Sequence, residues 1–554
     1  MEKLKEYKYL LIIFVLFLIN IFLFYGKMIN IHTDFGRELL FSKMVAQGSV
    51  LYKDIFNTFV CPFSYLFNAF LLKFAPMNIN TFYVAGGINC LVILVCVYFI
   101  GKIFLNRFVS CVITVFVMYY CCFYSGLMNF LTPYSYAVVY GLSFCLLSVL
   151  TYLYYLKTDK SKFMYLAFLF SGAAASCKYE FVLYSLFLFL FLFVKNNGLK
   201  SVFKSVAIFF IVPLICTIVL LKQGLVFDDL LNYFGILKKF LHQPYLKKVY
   251  TITCYFSKDS IISALKTFIA ASCVFGILYK FYEKKSVWAS IFGWGLWIVL
   301  TLSVLVYFPL MEYYAYSFWG FITYIVVGLS LFKIKELIND KSELFLVLVS
   351  FVISLKSFWY LSTNFYGRYF LPLLVVSLVV VLKKYYFKEN YLTFEKTFCA
   401  ILIFLSVAAF RLNLVSLVLK NDDIKTPYGK IYVTQSEKLL LQPVVDYIGK
   451  NLDGSDKLVF LGNAPLLNFL TNKDSIPFYS HYDEAIAGAY GSERIINGYR
   501  TYKPDYIVIF EGEKNKQNGY CNAYGKNVCK WINKNYKTVK IVDGIEIVYI
   551  LKKM

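Results

Sequence analysis

The chain has 554 residues, 60% of them hydrophobic and 20% aromatic, with a mean hydropathy of +0.64. This composition excludes an ordinary soluble protein, because apolar runs of about 20 residues, each long enough to cross a bilayer as a helix, recur from residue 8 to residue 413. The net charge of +24 does not indicate nucleic-acid binding, since the Lys and Arg residues lie mainly in short loops between these runs. The sequence therefore predicts a polytopic α-helical membrane protein that is embedded in the lipid bilayer.

We predict about thirteen transmembrane helices. The first is a retained anchor, because it is longer than a signal-peptide core and lacks a small-residue cleavage site near its end. The predicted spans are residues 8–26, 81–101, 108–125, 134–156, 163–177, 181–194, 203–222, 261–280, 286–307, 318–332, 345–360, 368–382 and 395–413.

Basic residues in every second loop give the orientation. They place those loops and the N-terminus in the cytoplasm of a multi-pass protein of the plasma membrane. An odd number of spans then places the C-terminal region outside the cell. This parity depends on a helix break at Lys178-Tyr179-Glu180, without which the later basic loops would lie outside.

The first outer loop, residues 27–80, is long and has two predicted amphipathic helices. Residues 37–47 place four apolar side chains on one side, and a second helix begins at Pro62 and carries five further apolar side chains. Such helices are expected to lie in the plane of the membrane interface. The transmembrane domain with this loop comprises residues 1–419.

Residues 420–554 are polar enough to form a small extracytoplasmic α/β domain. The pattern predicts a helix over 436–450, strands over 457–462 and 505–510, and a β-hairpin over 538–551 that turns at Asp543-Gly544. Twelve of the 14 cysteines precede this region and fit buried apolar positions, whereas Cys521 and Cys529 lie in a polar segment. If this segment lies outside the cytoplasm, Cys521 and Cys529 can form a disulfide, and the sequence alone does not decide between that disulfide and two free thiols.

Asp34, Arg37 and Glu38 follow the first span at helical spacing, so their side chains share one face. One interpretation is structural: Asp34 caps the helix, and Arg37 pairs with Glu38 or a lipid phosphate. The other is catalytic, with Asp34 and Glu38 as acid–base residues beside a phosphate ligand held by Arg37.

Four further pairs are candidate substrate-binding residues, and each has a structural alternative as an ion pair or an interfacial anchor. Lys178 and Glu180 interrupt an apolar stretch of about 34 residues, where ionisable groups are costly unless paired or in a wet cavity. The other pairs are Lys53-Asp54, Glu312-Tyr313 and Arg368-Tyr369. With three His and no clustered ligands, the sequence does not favour catalytic zinc, and a carboxylate-bound divalent cation stays open.

Four motifs resemble the GT-C superfamily of membrane glycosyltransferases, above all its protein O-mannosyltransferase and aminoarabinose lipid A transferase branch (glycosyltransferase family 39). They are Asp34-Phe35-Gly36-Arg37-Glu38; Gly48-x-x-Leu51-Tyr52-Lys53-Asp54-Ile55-Phe56 followed by Pro62-x-Ser64-Tyr65; Gly172-Ala173-Ala174-Ala175-Ser176-Cys177-Lys178; and Gly367-Arg368-Tyr369-x-x-Pro372. The chain departs from the aminoarabinose branch at Phe59-Val60-Cys61-Pro62, where relatives carry a Lys-Pro-Pro-like element.

The resemblance implies a hexosyl- or pentosyltransferase that moves a sugar from a polyprenyl-phosphate donor to a cell-envelope acceptor, a glycan, lipid or protein. Asp34 would be the general base of an inverting displacement. Lys178 with Arg37 or Arg368 would stabilise the phosphate leaving group. An O-antigen ligase or polymerase, and a transporter of lipid-linked or small solutes, are the alternatives.

Overall fold

The computed structural model describes most of the chain. The described residues are 2–29, 34–57, 60–126, 128–194, 198–246, 258–283, 311–355, 366–462, 465–473, 475–476, 484–513, 521 and 524–554, with isolated positions between 288 and 298.

Helices dominate the first 418 residues. They are α1 (Glu2–Phe24), α2 (Asp34–Ala46), α3 (Phe63–Phe74), α4 (Ile79–Phe104), α5 (Arg107–Val117), α6 (Tyr136–Thr158), α7 (Ser161–Cys177), α8 (Glu180–Val194), α9 (Leu199–Lys222), α10 (Phe227–Leu241), α11 (Lys258–Glu283), α12 (Met311–Phe332), α13 (Ile334–Leu337), α14 (Lys341–Ser354), α15 (Leu371–Val381) and α16 (Tyr391–Val418). A π-helical turn, Met118–Cys122, extends α5, and a 3₁₀ turn, Tyr366–Phe370, precedes α15.

Six helices in the described part are long and apolar enough to cross a membrane: Tyr7–Phe24, Ile79–Phe104, Tyr136–Thr158, Leu199–Lys222, Arg368–Tyr386 and Tyr391–Val418. Shorter apolar helices occupy Phe63–Phe74, Arg107–Cys122, Glu180–Phe193 and Ile322–Phe332. The protein is thus a multi-pass membrane protein. The predicted number of thirteen spans stays a prediction, and the span expected at 286–307 lies largely outside the described residues.

The break between α7 and α8 is present where the charges predict it. Helix α7 ends at Cys177, Lys178 has an extended backbone, and α8 begins at Glu180. The charged residues therefore lie at helix ends, where a helix spanning 163–194 would have placed them in its middle.

The C-terminal region combines strands with helices. Its strands are β1 (Asp422–Thr426), β2 (Gly429–Val433), β3 (Leu458–Leu461), β4 (Tyr506–Glu513), β5 (Tyr536–Asp543) and β6 (Glu546–Lys553), and its helices are α17 (Gln435–Asn451), α18 (Pro465–Leu470), α19 (Glu484–Tyr490), α20 (Ser492–Tyr502) and α21 (Lys526–Asn535). Strands β1 and β2 pair separately, and the other four form a sheet of order β3-β4-β6-β5. The predicted helix, strands and hairpin are all present. Cys521 and Cys529 form a disulfide.

Helix α2 packs beneath this C-terminal region. A β-carbon at Gly36 would overlap the backbone nitrogen of Leu466 in α18 and would lie 2.6 Å from its Cα. Lys43 is 1% exposed, and its ammonium donates to Oδ1 of Asn472 at 3.2 Å. Every residue from Phe35 to Val45 is buried, so α2 is enclosed by protein, and its predicted position in the plane of the membrane interface stays a prediction. The C-terminal region covers the polar side of α2, a contact that helical periodicity alone does not reveal.

Candidate active site

The site begins at the first turn of α2, where the acidic side chain of Asp34 forms an ion pair with the guanidinium of Arg37. Nη1 of Arg37 lies 3.3 Å from Oδ1 of Asp34. The Asp34 side chain is 22% exposed and the Arg37 side chain 9% exposed, so the carboxylate is accessible while the guanidinium is largely enclosed. An acid in the first turn also interacts favourably with the helix dipole. The pair therefore combines a structural position with an accessible carboxylate.

Glu38 is held from three directions beneath this pair. The Tyr65 hydroxyl in α3 donates to its Oε1 at 2.6 Å, and the Tyr136 amide at the start of α6 donates to its Oε2 at 3.0 Å. Nη2 of Arg37 lies 3.8 Å from Oε1. Because the Glu38 side chain is 0% exposed and both of its oxygens are engaged, this carboxylate orients Arg37 from behind.

Tyr134 completes the cluster, and the sequence analysis did not identify it. The charges of Asp34 and Arg37 both act on its phenol, and the Arg37 Cζ lies 5.8 Å from its ring centroid. Tyr134 lies in the connection before α6, about 100 residues from Asp34 in the sequence. The chain contains 49 Tyr, and no local pattern distinguishes this one.

The electrostatics of the cluster favour a charged Arg37. Burial opposes protonation of its guanidinium, but Asp34 and its other neighbours raise the pKa of Arg37 well above its ordinary value. Burial raises the pKa of Glu38, and Arg37 partly offsets that effect. The negative charge of Asp34, followed by burial, raises the pKa of Tyr134, so its phenol stays protonated and can donate.

Arg37 retains hydrogen-bonding capacity. Its Nε is buried and has no hydrogen-bond partner among the described residues. A buried donor without a partner is unfavourable, and an acceptor that arrives with a ligand would satisfy it. Phosphate and carboxylate oxygens are the acceptors that suit a guanidinium best.

The turn at Lys178 lies against the first loop. Val60 pairs with Lys178 in an antiparallel bridge, and the Cys61 amide donates to the Cys177 carbonyl at 3.1 Å. Nζ of Lys178 lies 4.0 Å from Oε1 of Glu180, and these side chains are 7% and 9% exposed. The segment from Val60 to Tyr65 therefore joins the Lys178 turn to the hydroxyl that holds Glu38.

Arg368 and Tyr369 approach the site from another element. Arg368 donates to the Tyr120 carbonyl at 2.9 Å, and its Cζ lies 3.3 Å from the Tyr124 ring centroid. The Tyr369 ring stacks on Phe130 with centroids 5.2 Å apart. Phe130 and Tyr134 belong to the same connection between α5 and α6, which joins this pair to the Asp34 cluster.

The remaining predicted residues have other positions. Asp54 accepts from the Val50 amide at 2.8 Å and stabilises its own turn. Lys53 donates to the Gly224 carbonyl at 3.4 Å and lies 3.9 Å from Asp229, which ties the first loop to α10. The side chains of Glu312 and Tyr313, in the first turn of α12, lie outside the described residues. In the described part of the chain, no three His, Cys, Asp or Glu side chains gather as a metal site.

Comparison with known proteins identifies the fold. Neither a protein-family model nor a curated protein matches the sequence. The apo oligosaccharyltransferase from Archaeoglobus fulgidus aligns with a TM-score of 0.52 at 10% identity, over 97% of this chain and 74% of that one. ArnT from Cupriavidus metallidurans bound to undecaprenyl phosphate aligns with a TM-score of 0.49 at 9% identity, over 98% and 97% of the two chains. The archaeal alignment carries the conclusion that this chain has the GT-C fold, as its motifs predicted.

Proposed function

We propose that the protein is a glycosyltransferase that moves a sugar from a polyprenyl-phosphate donor to a hydroxyl of a cell-envelope acceptor. The observation that carries the proposal is the pair of an accessible Asp34 carboxylate and an enclosed Arg37 guanidinium 3.3 Å apart. The Asp34 carboxylate can accept the proton of an acceptor hydroxyl, and the Arg37 guanidinium can bind the phosphate of the donor. The hydroxyl and the phosphate are both bonded to the anomeric carbon during the displacement, so these two side chains must lie close together. The GT-C fold and the sequence motifs support this reaction class.

The reaction is a direct displacement. The acceptor oxygen forms a bond to the anomeric carbon while the bond from that carbon to the phosphate oxygen breaks. The acceptor proton passes to the Asp34 carboxylate, and the electron pair of the broken bond leaves with the polyprenyl phosphate. A single displacement inverts the anomeric centre.

Arg37 acts on the leaving group. Negative charge grows on the phosphate as the glycosidic bond breaks, and an enclosed guanidinium stabilises that charge more strongly than one in water. Its Nε, which lacks a partner among the described residues, supplies one donor for this purpose. Lys178, whose backbone pairs with Val60 of the first loop, supplies the second cation.

Donor binding would also activate the base. Without a ligand, Arg37 neutralises Asp34 across 3.3 Å. A phosphate that draws Arg37 toward itself frees the carboxylate to accept a proton. Tyr134, which lies beside both side chains, would keep Asp34 oriented during this exchange. We therefore assign Glu38 and Tyr134 positioning roles and Asp34 the catalytic role.

The proposal places the site and the C-terminal region on the outer face of the membrane. Alternating basic loops support this orientation. The Cys521–Cys529 disulfide agrees with it, because disulfides persist in oxidising compartments.

Binding of the product tests the proposal without knowledge of the sugar. The purified full-length protein in nanodiscs is titrated with undecaprenyl phosphate, and binding is measured by native mass spectrometry. We expect Arg37→Met to weaken binding at least about tenfold, the loss of about one charge-assisted contact. Because Arg37→Met leaves Glu38 buried without its cation, Arg37→Lys serves as the folded variant and should bind with intermediate affinity.

The control is Arg500→Met, which removes an exposed arginine of the C-terminal region and should bind as the unaltered protein does. Asp34→Asn should bind at least as tightly, since it removes the competing carboxylate. Equal binding by Arg37→Met and the unaltered protein would contradict the assignment of the phosphate to Arg37.

A further inference from the structure

Helix α10 has three sides of different character. Each residue advances about 100° around an α-helix, so the direction of every side chain follows from its position. The buried side chains Tyr233, Ile236 and Phe240 fall within an arc of roughly 60°. A second arc, of roughly 80°, carries apolar side chains that are between 45% and 71% exposed, namely Phe227, Leu231, Phe234 and Leu241. We call this second arc the apolar face of α10.

The buried side of α10 packs on protein. The Tyr233 hydroxyl donates to the Asn57 carbonyl of the first loop at 2.5 Å. The Phe240 and Phe56 ring centroids lie 6.2 Å apart, and Phe56 also lies 5.6 Å from the Tyr490 ring of α19. Helix α10 is therefore held against both the first loop and the C-terminal region.

The third side of α10 is polar and faces the C-terminal region. Nη2 of Arg494 in α20 donates to Oδ1 of Asn232 at 3.4 Å. Asp228 and Lys239 lie on the same side as Asn232, and both are exposed. Asn232 is roughly 150° around the helix from the centre of the apolar face. The apolar face is thus turned away from the C-terminal region.

Helix α10 starts close to the end of a membrane span. Helix α9 is long and apolar enough to cross a membrane, and its side chains Ile218 and Leu221 are 50% and 60% exposed, as expected for a surface that faces lipid. Only four residues separate α9 from α10. The Leu225 amide donates to the Leu220 carbonyl at 3.1 Å, so the chain folds back onto the end of α9 before α10 starts. Phe227 therefore lies at the depth of the membrane interface.

Hydrocarbon is the environment that suits the apolar face of α10. Its four large side chains, at spacings of four, three and seven residues, form one contiguous patch. Such a patch on a helix with a separate polar side is typical of helices that lie in the plane of the membrane interface. Lys238 also falls within this arc, and its long apolar stem lets the ammonium reach the lipid phosphates while its neighbours stay in hydrocarbon.

We infer that α10 lies in the plane of the membrane interface, with its apolar face inserted into the acyl chains of the leaflet at which α9 ends. Membrane phospholipid is thus the partner of this face, and the C-terminal region lies on the other side of the helix. Because Tyr233 contacts the first loop and Asn232 contacts the C-terminal region, insertion of α10 fixes the depth of both at the bilayer surface. The inference does not depend on the proposed transfer reaction.

The collision accessibility of a nitroxide label tests the inference. The label is attached at Leu231→Cys or Phe234→Cys in the full-length protein in phosphatidylcholine nanodiscs. Its relaxation by oxygen, which dissolves in hydrocarbon, is compared with its relaxation by a water-soluble nickel complex. The background carries Cys273→Ser, because Cys273 is an exposed free cysteine, and the spectrum of this background without an added cysteine is subtracted. We expect the oxygen-to-nickel ratio at both positions to be at least about threefold higher than at two control positions.

The two controls distinguish lipid from water. Asp228→Cys labels the polar side of the same helix, and Leu439→Cys labels a 68% exposed apolar position of α17 in the C-terminal region. Both should be accessible to nickel. Labels at positions 231 and 234 that are as accessible to nickel as the label at position 439 would overturn the inference. Labels shielded from both reagents would overturn it as well, since another part of the protein or a second copy would then cover the apolar face.

Discussion

Gly36 lies directly against the backbone of Leu466, with no space for a β-carbon between α2 and α18. The residue before Arg37 in the candidate site is thus in contact with the C-terminal region. The contact between Gly36 and Leu466 therefore constrains the position of the helical turn that carries Asp34 and Arg37.

Replacement of Gly36 by alanine tests this contact. Gly36→Ala forces α2 and α18 apart, and we expect a loss of about 1–3 kcal/mol in the free energy of unfolding together with reduced sugar transfer. The control is Gly449→Ala in α17, where a β-carbon meets nothing within 4 Å and alanine is the better helix former. Thermal unfolding of both variants in the same detergent gives the comparison. Equal unfolding temperatures would contradict close packing at Gly36.

Glu38 should act through Arg37 and not on the substrate. Glu38→Gln keeps the size of the side chain and can still accept from the Tyr136 amide, but it removes the negative charge beside Arg37. We expect kcat/KM to fall about 10- to 100-fold, with most of the loss in donor affinity.

Tyr65→Phe provides the graded comparison, because it removes one hydrogen bond to Glu38 and leaves the charge in place. Its effect should be smaller, within about tenfold. A loss in Glu38→Gln as complete as that in Asp34→Asn, with donor affinity unchanged, would instead make Glu38 a catalytic residue.

Lys178 can be tested by moving its charge. Lys178→Met should weaken donor binding, because it removes the second cation proposed for the phosphate. Val60 and Cys61 lie against the Lys178 turn, so Lys178→Met/Cys61→Lys returns a cation to the same region from the first loop. We expect the double variant to regain part of the donor affinity measured by titration with undecaprenyl phosphate. The control Lys178→Met/Cys61→Met should regain none, and recovery in that control would rule out a role for charge.

The Cys61 thiol offers a prediction on pH. Burial raises its pKa to about 11, and the positive charge of Lys178 partly opposes that rise. A raised pKa lowers the thiolate fraction at pH 8 by about a hundredfold relative to an ordinary cysteine, so iodoacetamide should modify Cys61 slowly and the rate should climb as the pH rises toward 11. Lys178→Met should shift the profile to still higher pH. A cysteine introduced by Lys238→Cys at an exposed position is the reference, and matching profiles would contradict the burial of Cys61.

Much of the fold could be predicted because local chemistry determines it. The helix break at Lys178 follows from the free energy of placing ions among apolar residues, and the hairpin at Asp543-Gly544 follows from turn geometry. The same holds for the grouping of Asp34, Arg37 and Glu38, since helical spacing of three and four residues places them on one face.

The rest depends on contacts between distant residues. Tyr134 reaches Asp34 only through the packing of α6 against the first loop, and Gly36 meets Leu466 across 430 residues of sequence. Neither contact leaves a periodic signal in the chain. The burial of Lys43 under the C-terminal region was unforeseen for the same reason, because a lysine on an amphipathic helix ordinarily faces water.

The most direct test of the account compares cells that carry the intact protein with cells that carry Asp34→Asn. Asp228→Asn serves as the control, since it neutralises an exposed carboxylate at the start of α10. Polyprenyl-phosphate sugars and surface glycans are measured by mass spectrometry, after the membrane insertion of each variant has been verified. If Asp34 is the catalytic base, one lipid-linked monosaccharide accumulates in Asp34→Asn alone, with loss of one sugar from the envelope. Unchanged lipid-linked sugars and glycans in a correctly inserted Asp34→Asn protein would contradict Asp34 as the catalytic base and favour a transporter or a ligase.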